Sequence, residues 1–194
     1  MFTIRRDQVN VVAAISIVAV LTLLVLPPGG NAQTLKPKPR DTIVVAIEED
    51  VNTLDPAGGL GTHTLRTMGN AFESLVHSNT TDGSIKPELA KEWKASPDGL
   101  EYTFKLRENV KFQDGTPFDA AAVKFSFDRA LDKNNPYFYG PYTFPSFFLG
   151  AIKEVRVIDN LTVEMILKRQ DPTFLGQLVW TTSAVVSPTA LKKY

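Results

Sequence analysis

The residues that could carry catalysis or bind a metal are few, and their spacing forms no reactive group. The chain has no cysteine and only two histidines, His63 and His77, so thiolate sites and disulfides are excluded and no metal site is recognisable. It contains no Gly-x-Ser-x-Gly elbow, no phosphate-binding Gly-Lys-Ser/Thr loop and no His-Glu-x-x-His helix. No pair of carboxylates stands apart by its spacing. The sequence therefore predicts a protein that is not an enzyme and holds no metal or cofactor.

A glycine-rich segment is the best candidate for contact with a ligand. Residues 57–63 read AGGLGTH and precede a predicted helix, whose first backbone N–H groups are free to donate to a carboxylate or carbonyl. In open α/β sheets, ligands bind outside the carboxyl ends of the strands, which is where this segment falls. We expect Gly59, Gly61, Thr62 and His63 to contact the ligand. The alternative is a loop that only turns the chain.

Other polar and aromatic residues are weaker candidates for contact with the ligand. Asp55 precedes a proline, which favours turn initiation, so we predict a structural role for it. Residues 48–50, two glutamates and an aspartate, could attract an ammonium group, although an acidic cluster at a strand end is more often simply solvated. The aromatic residues at 137–148 could stack on an apolar ligand group, or they could pin a long connection against the core.

Two elements are predicted to position the glycine-rich segment. Residues 43–47 read IVVAI, a continuous apolar run typical of a strand covered on both faces in a largely parallel sheet. Thr62 is placed to cap a helix with apolar residues at helical spacing up to Val76. This strand, loop and helix would make the first half of an α/β unit.

The remaining chain reads as alternating elements. Residues 90–118 predict a short helix, a turn at 97–99, a strand with Tyr102, Phe104 and Leu106 on one side, and a turn at 114–115. Asp119 is placed to cap a second helix. The elements predicted after it are a loop at 134–150, a hairpin at 152–167, a helix opened by Pro172, a short buried strand at 184–186, and a last helix starting at Ser187.

Several of these segments resemble the extracellular solute-binding proteins of family 5, the peptide, opine and nickel receptors of ATP-driven importers. The matches occur in the family's order and are TLDP at 53–56, NAFESLV at 70–76, AKEWKASPDGLEYTFKLR at 90–107, VKFQDGTPF at 110–118, the hairpin 157–167 and VVSP at 185–188. One departure is the alanine run 120–122, where the family commonly has an acidic residue. This departure affects a helix surface only. The signature at 90–118 reads as scaffold rather than binding pocket.

The resemblance implies an α/β, bilobal periplasmic-binding-protein type II fold. Residues 42–194 would be its N-terminal portion, a mixed sheet with helices plus an antiparallel subdomain, and the last helix, which begins at Ser187 and is not finished, suggests a truncated sequence. By the same resemblance, the loop after Leu-Asp-Pro, here Gly59 to His63, lines the ligand cleft.

The function implied by the resemblance is capture of a small solute for import. A monomer would bind a di- or oligopeptide or similar solute, close its two lobes, and present the solute to ABC permease subunits in the inner membrane. Peptide, glutathione, opine, oligosaccharide and nickel-chelate binders share this pattern, so the solute stays open. An exported hydrolase, or a sensor or chaperone on the same fold, are the alternatives. The equal numbers of basic and acidic residues, 21 each, imply no nucleic-acid surface.

The first 32 residues are predicted to be a signal peptide for the periplasm. Arg5 and Arg6 form a basic start, residues 11–26 are almost wholly apolar, and residues 30–32, GNA, offer small residues for cleavage. A membrane anchor is the alternative, but the apolar run is shorter than the roughly 20 residues that a span needs. Residues 33–41 form a polar lead-in. Because the chain has no cysteine, the mature protein would not be a lipoprotein.

If the signal peptide is cleaved as predicted, mass spectrometry of the protein from a periplasmic extract should find a mature N-terminus at Gln33. A mature chain that begins at residue 1 would contradict this prediction.

Overall fold

An antiparallel four-stranded sheet is the centre of the described structure. The computed structural model describes residues 48, 50–51, 53–58, 62–138 and 144–193. In chain order the elements are α1 (Thr62–Met68), β1 (Val76–Ser78), β2 (Ile85–Pro87), β3 (Ala90–Ala95), β4 (Glu101–Leu106), α2 (Ala120–Leu131), α3 (Phe144–Leu149), β5 (Ile152–Asp159), β6 (Thr162–Leu167), α4 (Phe174–Gln177), a 3-10 turn (Thr181–Ser183) and α5 (Pro188–Lys193).

The main sheet has the strand order β3-β4-β6-β5, and all of its neighbours are antiparallel. The predicted alternation in β4 is confirmed, because Phe104 and Leu106 are fully buried whereas Glu101 and Lys105 are exposed. Phe104 lies opposite Val163 of β6, which is also fully buried. Cross-strand apolar pairs of this kind stabilise a sheet whose one face covers the core.

The helix predicted at the start of the signature is wrong, because Ala90–Ala95 is strand β3. The pairing of β3 with β4 shifts register between Ala90 and Glu92. That irregularity places Ala90 and Trp93 on the core side at a spacing of three, although a regular strand would bury alternate residues. A spacing of three is typical of a helix, but pairing with β4 makes this segment a strand. The turns predicted at 97–99 and 114–115 are confirmed, with Gly99 and Gly115 at positive φ.

Helix α1 is shorter than predicted, because it ends at Met68. The Gly69 N–H still donates to the Leu65 carbonyl, and the Asn70 side chain donates to the Arg66 carbonyl at 2.7 Å, which satisfies a carbonyl in the last turn. Beyond this end the chain turns at residues 69–71 and is not helical up to β1. Val76 therefore lies in β1, which pairs with β2 around a turn at 79–83.

Helix α2 covers one face of the sheet and is capped as predicted. The Asp119 carboxylate accepts the Ala122 N–H at 2.8 Å, and Val123 and Phe127 are buried in the core. Lys124 donates to the Val155 carbonyl at 2.9 Å, so the helix is also tied to β5. The hairpin of β5 and β6 is confirmed.

Four further predictions on the second half of the chain have mixed outcomes. The helix after Pro172 is confirmed as α4, and the last helix begins at Pro188 with Ser187 accepting the Ala190 N–H at 3.1 Å. The prediction of an uninterrupted loop at 134–150 is wrong, because helix α3 forms near the end of that range. Residues 184–186 are buried as predicted, but the prediction that they form a strand is wrong. The Val185 N–H donates to the Glu73 carbonyl, and this one backbone hydrogen bond does not make a strand pair.

Some predicted features lie outside the described residues, namely the strand 43–47, the loop glycines Gly59 and Gly61, and part of the aromatic segment. No helix within the described ranges is long and apolar enough to cross a membrane.

Replacing Phe104 with alanine should lower the free energy of unfolding by about 3–5 kcal/mol, because it removes a fully buried aromatic side chain. Urea unfolding measures this. Glu101→Ala on the exposed face of the same strand is the control and should change stability by about 0.5 kcal/mol or less. Equal losses in the two variants would contradict the inward orientation of Phe104.

Candidate functional site

The Leu-Asp-Pro turn is shaped by hydrogen bonds to Asp55. Its carboxylate Oδ1 accepts the Ala57 N–H at 2.9 Å, and its backbone carbonyl accepts the Gly58 N–H at 3.0 Å. Its own N–H donates to the Thr53 hydroxyl at 3.0 Å. The structural role predicted for Asp55 is therefore confirmed.

Asp55 also forms an ion pair with Arg129 of helix α2, which the sequence did not reveal. The two guanidinium nitrogens lie 2.6 and 2.7 Å from Oδ1 and Oδ2, respectively. The Arg129 side chain is only 3% exposed and that of Asp55 is 15% exposed. The same guanidinium approaches the Tyr137 carbonyl at 3.4 Å. One side chain thus contacts both the Leu-Asp-Pro turn and the start of the aromatic segment.

A second buried stripe on α2 carries Arg129. Ala122, Ser126 and Arg129 are all buried, at i, i+4 and i+7, beside the predicted apolar stripe. The Ser126 hydroxyl accepts the Val186 N–H at 3.0 Å, so this side faces other chain segments and not solvent. In the sequence, this second stripe is visible as two small residues and an arginine at helical spacing. The prediction of the buried face of α2 rested on apolar residues alone and therefore did not include this stripe.

Thr62 and His63 begin helix α1. The helix starts at Thr62, whereas a cap at Thr62 predicts a start at the next residue. Thr62 is exposed and His63 is half-buried. His63 Nε2 lies 3.9 Å from Glu48 Oε2, so the structure places His63 near the first residue of the acidic cluster at 48–50. The Glu48 side chain is 93% exposed, and a pair of this kind contributes little stability.

Many carboxylates elsewhere are acceptors within turns. Hydrogen bonds from nearby hydroxyls, and then from backbone N–H groups, lower the pKa of Asp82, Asp98, Asp159 and Asp171. Asp114 behaves similarly, since the Ser187 hydroxyl and then Thr116 lower its pKa. These carboxylates accept hydrogen bonds that stabilise separate turns, and they do not converge on one shared site.

Glu88 differs, because partial burial raises the pKa of its carboxyl group. Its Oε2 accepts the Ser74 N–H at 2.9 Å, which opposes the rise. This bond joins the segment before β1 to the segment after β2, so Glu88 supports the small hairpin. Over the ranges that the structure describes, no three His, Cys, Asp or Glu side chains are grouped so that they could hold a metal ion.

The aromatic segment is partly anchored and partly exposed. Tyr137 packs against Phe125 of α2 with ring centres 5.6 Å apart, as expected for a connection pinned to the core. Phe148 packs against Trp180 at 5.2 Å, and Phe147 next to it is 79% exposed. Trp180 was not part of the predicted cluster, because it follows in sequence only after the β5–β6 hairpin and helix α4.

Comparison with known proteins finds one family model and several relatives. Residues 84–193 match the middle region of the bacterial extracellular solute-binding proteins, family 5. The glutathione-binding protein GsiB of Escherichia coli (strain K12) is 37% identical over 153 residues, which are 78% of this chain and 28% of that protein.

Solved structures give the same picture. The periplasmic binding protein DppA of Helicobacter pylori, in complex with the peptide STSA, is 29% identical with a TM-score of 0.66 over 74% of this chain and 30% of that one. AgaA of A. tumefaciens R10, in complex with agropinic acid, is 33% identical with a TM-score of 0.66 over 74% and 28%, respectively. The similarity supports the type II periplasmic-binding-protein fold predicted from the sequence. The chain spans less than a third of the length of these relatives.

Proposed function

Because the chain belongs to the bacterial extracellular solute-binding proteins of family 5, we propose that it acts as the solute-binding component of an ABC importer. The observation that carries the proposal is the family match over residues 84–193. That region includes the whole four-stranded sheet and helix α2. The scaffold shared with the family is thus the part that holds Arg129 and, through it, the Leu-Asp-Pro turn.

The solute is proposed to be a small peptide or a peptide-like molecule. One relative is named for glutathione binding and one solved structure contains a four-residue peptide. Such molecules carry carboxylate and amide groups, which need hydrogen-bond donors more than a deep apolar pocket.

Gly59, Gly61, Thr62 and His63 are proposed to line the cleft. Thr62 is exposed and His63 half-buried at the start of α1, so both side chains are within reach of a solute. The turn that leads into this segment is fixed by Asp55. Binding would then favour a closed arrangement of two lobes, because the solute has more contacts in that state.

The location and partners follow from the same proposal. A signal peptide at residues 1–32 would direct a monomeric protein without a lipid anchor to the periplasm, where it would meet the permease subunits. The protein would capture and release its solute without chemical change.

Calorimetric titration of the protein as its gene encodes it should detect binding of at least one of three probes, which are glutathione, the peptide STSA and agropinic acid. The same probe should raise the melting temperature, because a ligand that binds only the folded state stabilises it, by about 2.7 kcal/mol at a hundred times Kd. Absence of binding by all three at millimolar concentration would contradict the proposed solute class.

The two histidines offer a matched test of the site. His63→Ala should weaken binding of the probe about two- to thirteenfold, since one hydrogen bond contributes about 0.5–1.5 kcal/mol. His77→Ala is the control, because His77 is exposed in β1 and lies outside the proposed cleft. Equal affinities in the two variants would contradict a role for His63.

Gly61→Pro extends this test to the backbone of the loop. Proline fixes φ and removes an N–H group at the helix entrance, so binding should be lost while the protein stays folded. Unchanged affinity in a folded Gly61→Pro protein would place the site elsewhere.

A further inference from the structure

We propose that Arg129 is a positioning residue for solute binding, because its guanidinium fixes the Leu-Asp-Pro turn against helix α2 and thereby places Thr62 and His63. This inference rests on the proposed function and deepens it. In the part of the chain that the structure describes, the hydrogen bonds of Arg129 go to Asp55 and Tyr137 and not to Thr62 or His63. Arg129 acts through Asp55, with which it forms two short hydrogen bonds at 2.6 and 2.7 Å.

The pair is a hydrogen-bonded connection between the turn and the scaffold, in addition to the burial of Pro56, Ala57 and Gly58. The bonds from the N–H groups of Asp55, Ala57 and Gly58 all end within residues 53–58. They give the turn its shape, but they do not attach it to another element. The Asp55 carboxylate makes that attachment, using both of its oxygens. The position of the described turn, up to Gly58, is therefore held from helix α2.

The geometry of the pair requires an arginine. A guanidinium is a flat fork that can donate to both carboxylate oxygens at once, whereas a lysine ammonium is a point charge on a flexible chain. Arg129 also approaches the Tyr137 carbonyl at 3.4 Å. The guanidinium thus holds the Leu-Asp-Pro turn and the start of the aromatic segment relative to each other. A lysine ammonium cannot reproduce the same contacts to Asp55 Oδ1, Asp55 Oδ2 and the Tyr137 carbonyl.

The burial of the pair argues for a role in position more than in stability. Moving two charges out of water costs about as much as their attraction returns, so an apolar pair of similar volume would stabilise a fold equally well. What the ion pair adds is a defined geometry, since its hydrogen bonds are directional and apolar contacts are not. The 3% exposure of Arg129 makes this cost large here.

The consequence for binding is a loss of preorganisation when the pair is broken. A loop that occupies its binding position for about a tenth of the time raises the apparent Kd about tenfold. A purely structural contact would lower the melting temperature but leave the affinity of the remaining folded protein unchanged.

The test uses two variants of the pair and one control in the protein as its gene encodes it. Arg129→Lys keeps the charge but not the fork. Asp55→Asn keeps an oxygen for the Ala57 N–H but removes the charge. Val123→Ala is the control, because Val123 is fully buried on the core side of the same helix and its truncation should lower stability without touching the turn.

We expect Arg129→Lys and Asp55→Asn to raise the Kd of the best-binding probe among glutathione, STSA and agropinic acid about tenfold or more. Val123→Ala should lower the melting temperature and leave Kd within about twofold of the unchanged protein. Amide hydrogen exchange should become faster at residues 53–63 in the two pair variants and not in the control.

An unchanged Kd together with unchanged exchange at residues 53–63, in either folded pair variant, would overturn the inference. Failure of both variants to fold would also overturn it, because the pair would then be a requirement of the fold. If the unchanged protein binds none of the three probes, the proposed solute class fails, and the exchange measurement still decides whether Arg129 positions the loop.

Discussion

The pairing of strand β4 on both of its edges is the constraint on which the described structure depends. β4 lies between β3 and β6, and its inward residues Phe104 and Leu106 are fully buried. Because side chains on a strand alternate between faces, this register decides which residues of both neighbouring strands face the core. The core side of the sheet then provides the surface on which helix α2 packs. The position of everything attached to α2 follows from that contact.

Helix α2 connects this core to the proposed site because it is buried on two sides. One side inserts Val123 and Phe127 into the core, and the other presents Ser126 and Arg129 to the neighbouring segments. Ser126 binds the backbone of Val186, and Arg129 binds the Leu-Asp-Pro turn. A rigid helix that is fixed by apolar packing can therefore hold a polar loop in a defined place. This bears on the proposed function, since recognition of a solute depends on the position of hydrogen-bond donors more than on their reactivity.

The acidic side chains of the described residues serve largely as hydrogen-bond acceptors in turns. The acidic groups are spread among turns, where neighbouring hydroxyl and N–H groups lower the pKa of residues such as Asp98 and Asp171. Among the hydrogen-bonded ion pairs of the described residues, the Asp55–Arg129 pair stands out because its arginine is almost fully buried. A buried pair needs complete and directional contacts to offset the loss of water. The hydrogen bonds of this pair are made to a turn and not to another helix or strand, while the buried Arg129 Nε has no hydrogen-bond partner among the described residues, which favours a role in position more than in stability.

The sequence by itself determined the family, the turns and the elements whose signals are local. The strand at 101–106, the Asp119 cap, the β5–β6 hairpin and the structural role of Asp55 were all predictable, because alternation, capping residues and turn residues act over a few positions. Only the tertiary structure decided the features that depend on distant partners. β3 is a strand because β4 pairs with it across a register shift, and its spacing alone imitates a helix. Arg129 meets Asp55 although 74 positions separate them in the chain, and no pattern within either segment encodes that contact. Local patterns report what the neighbours of a residue favour, whereas a buried ion pair exists only once the fold has brought its two halves together.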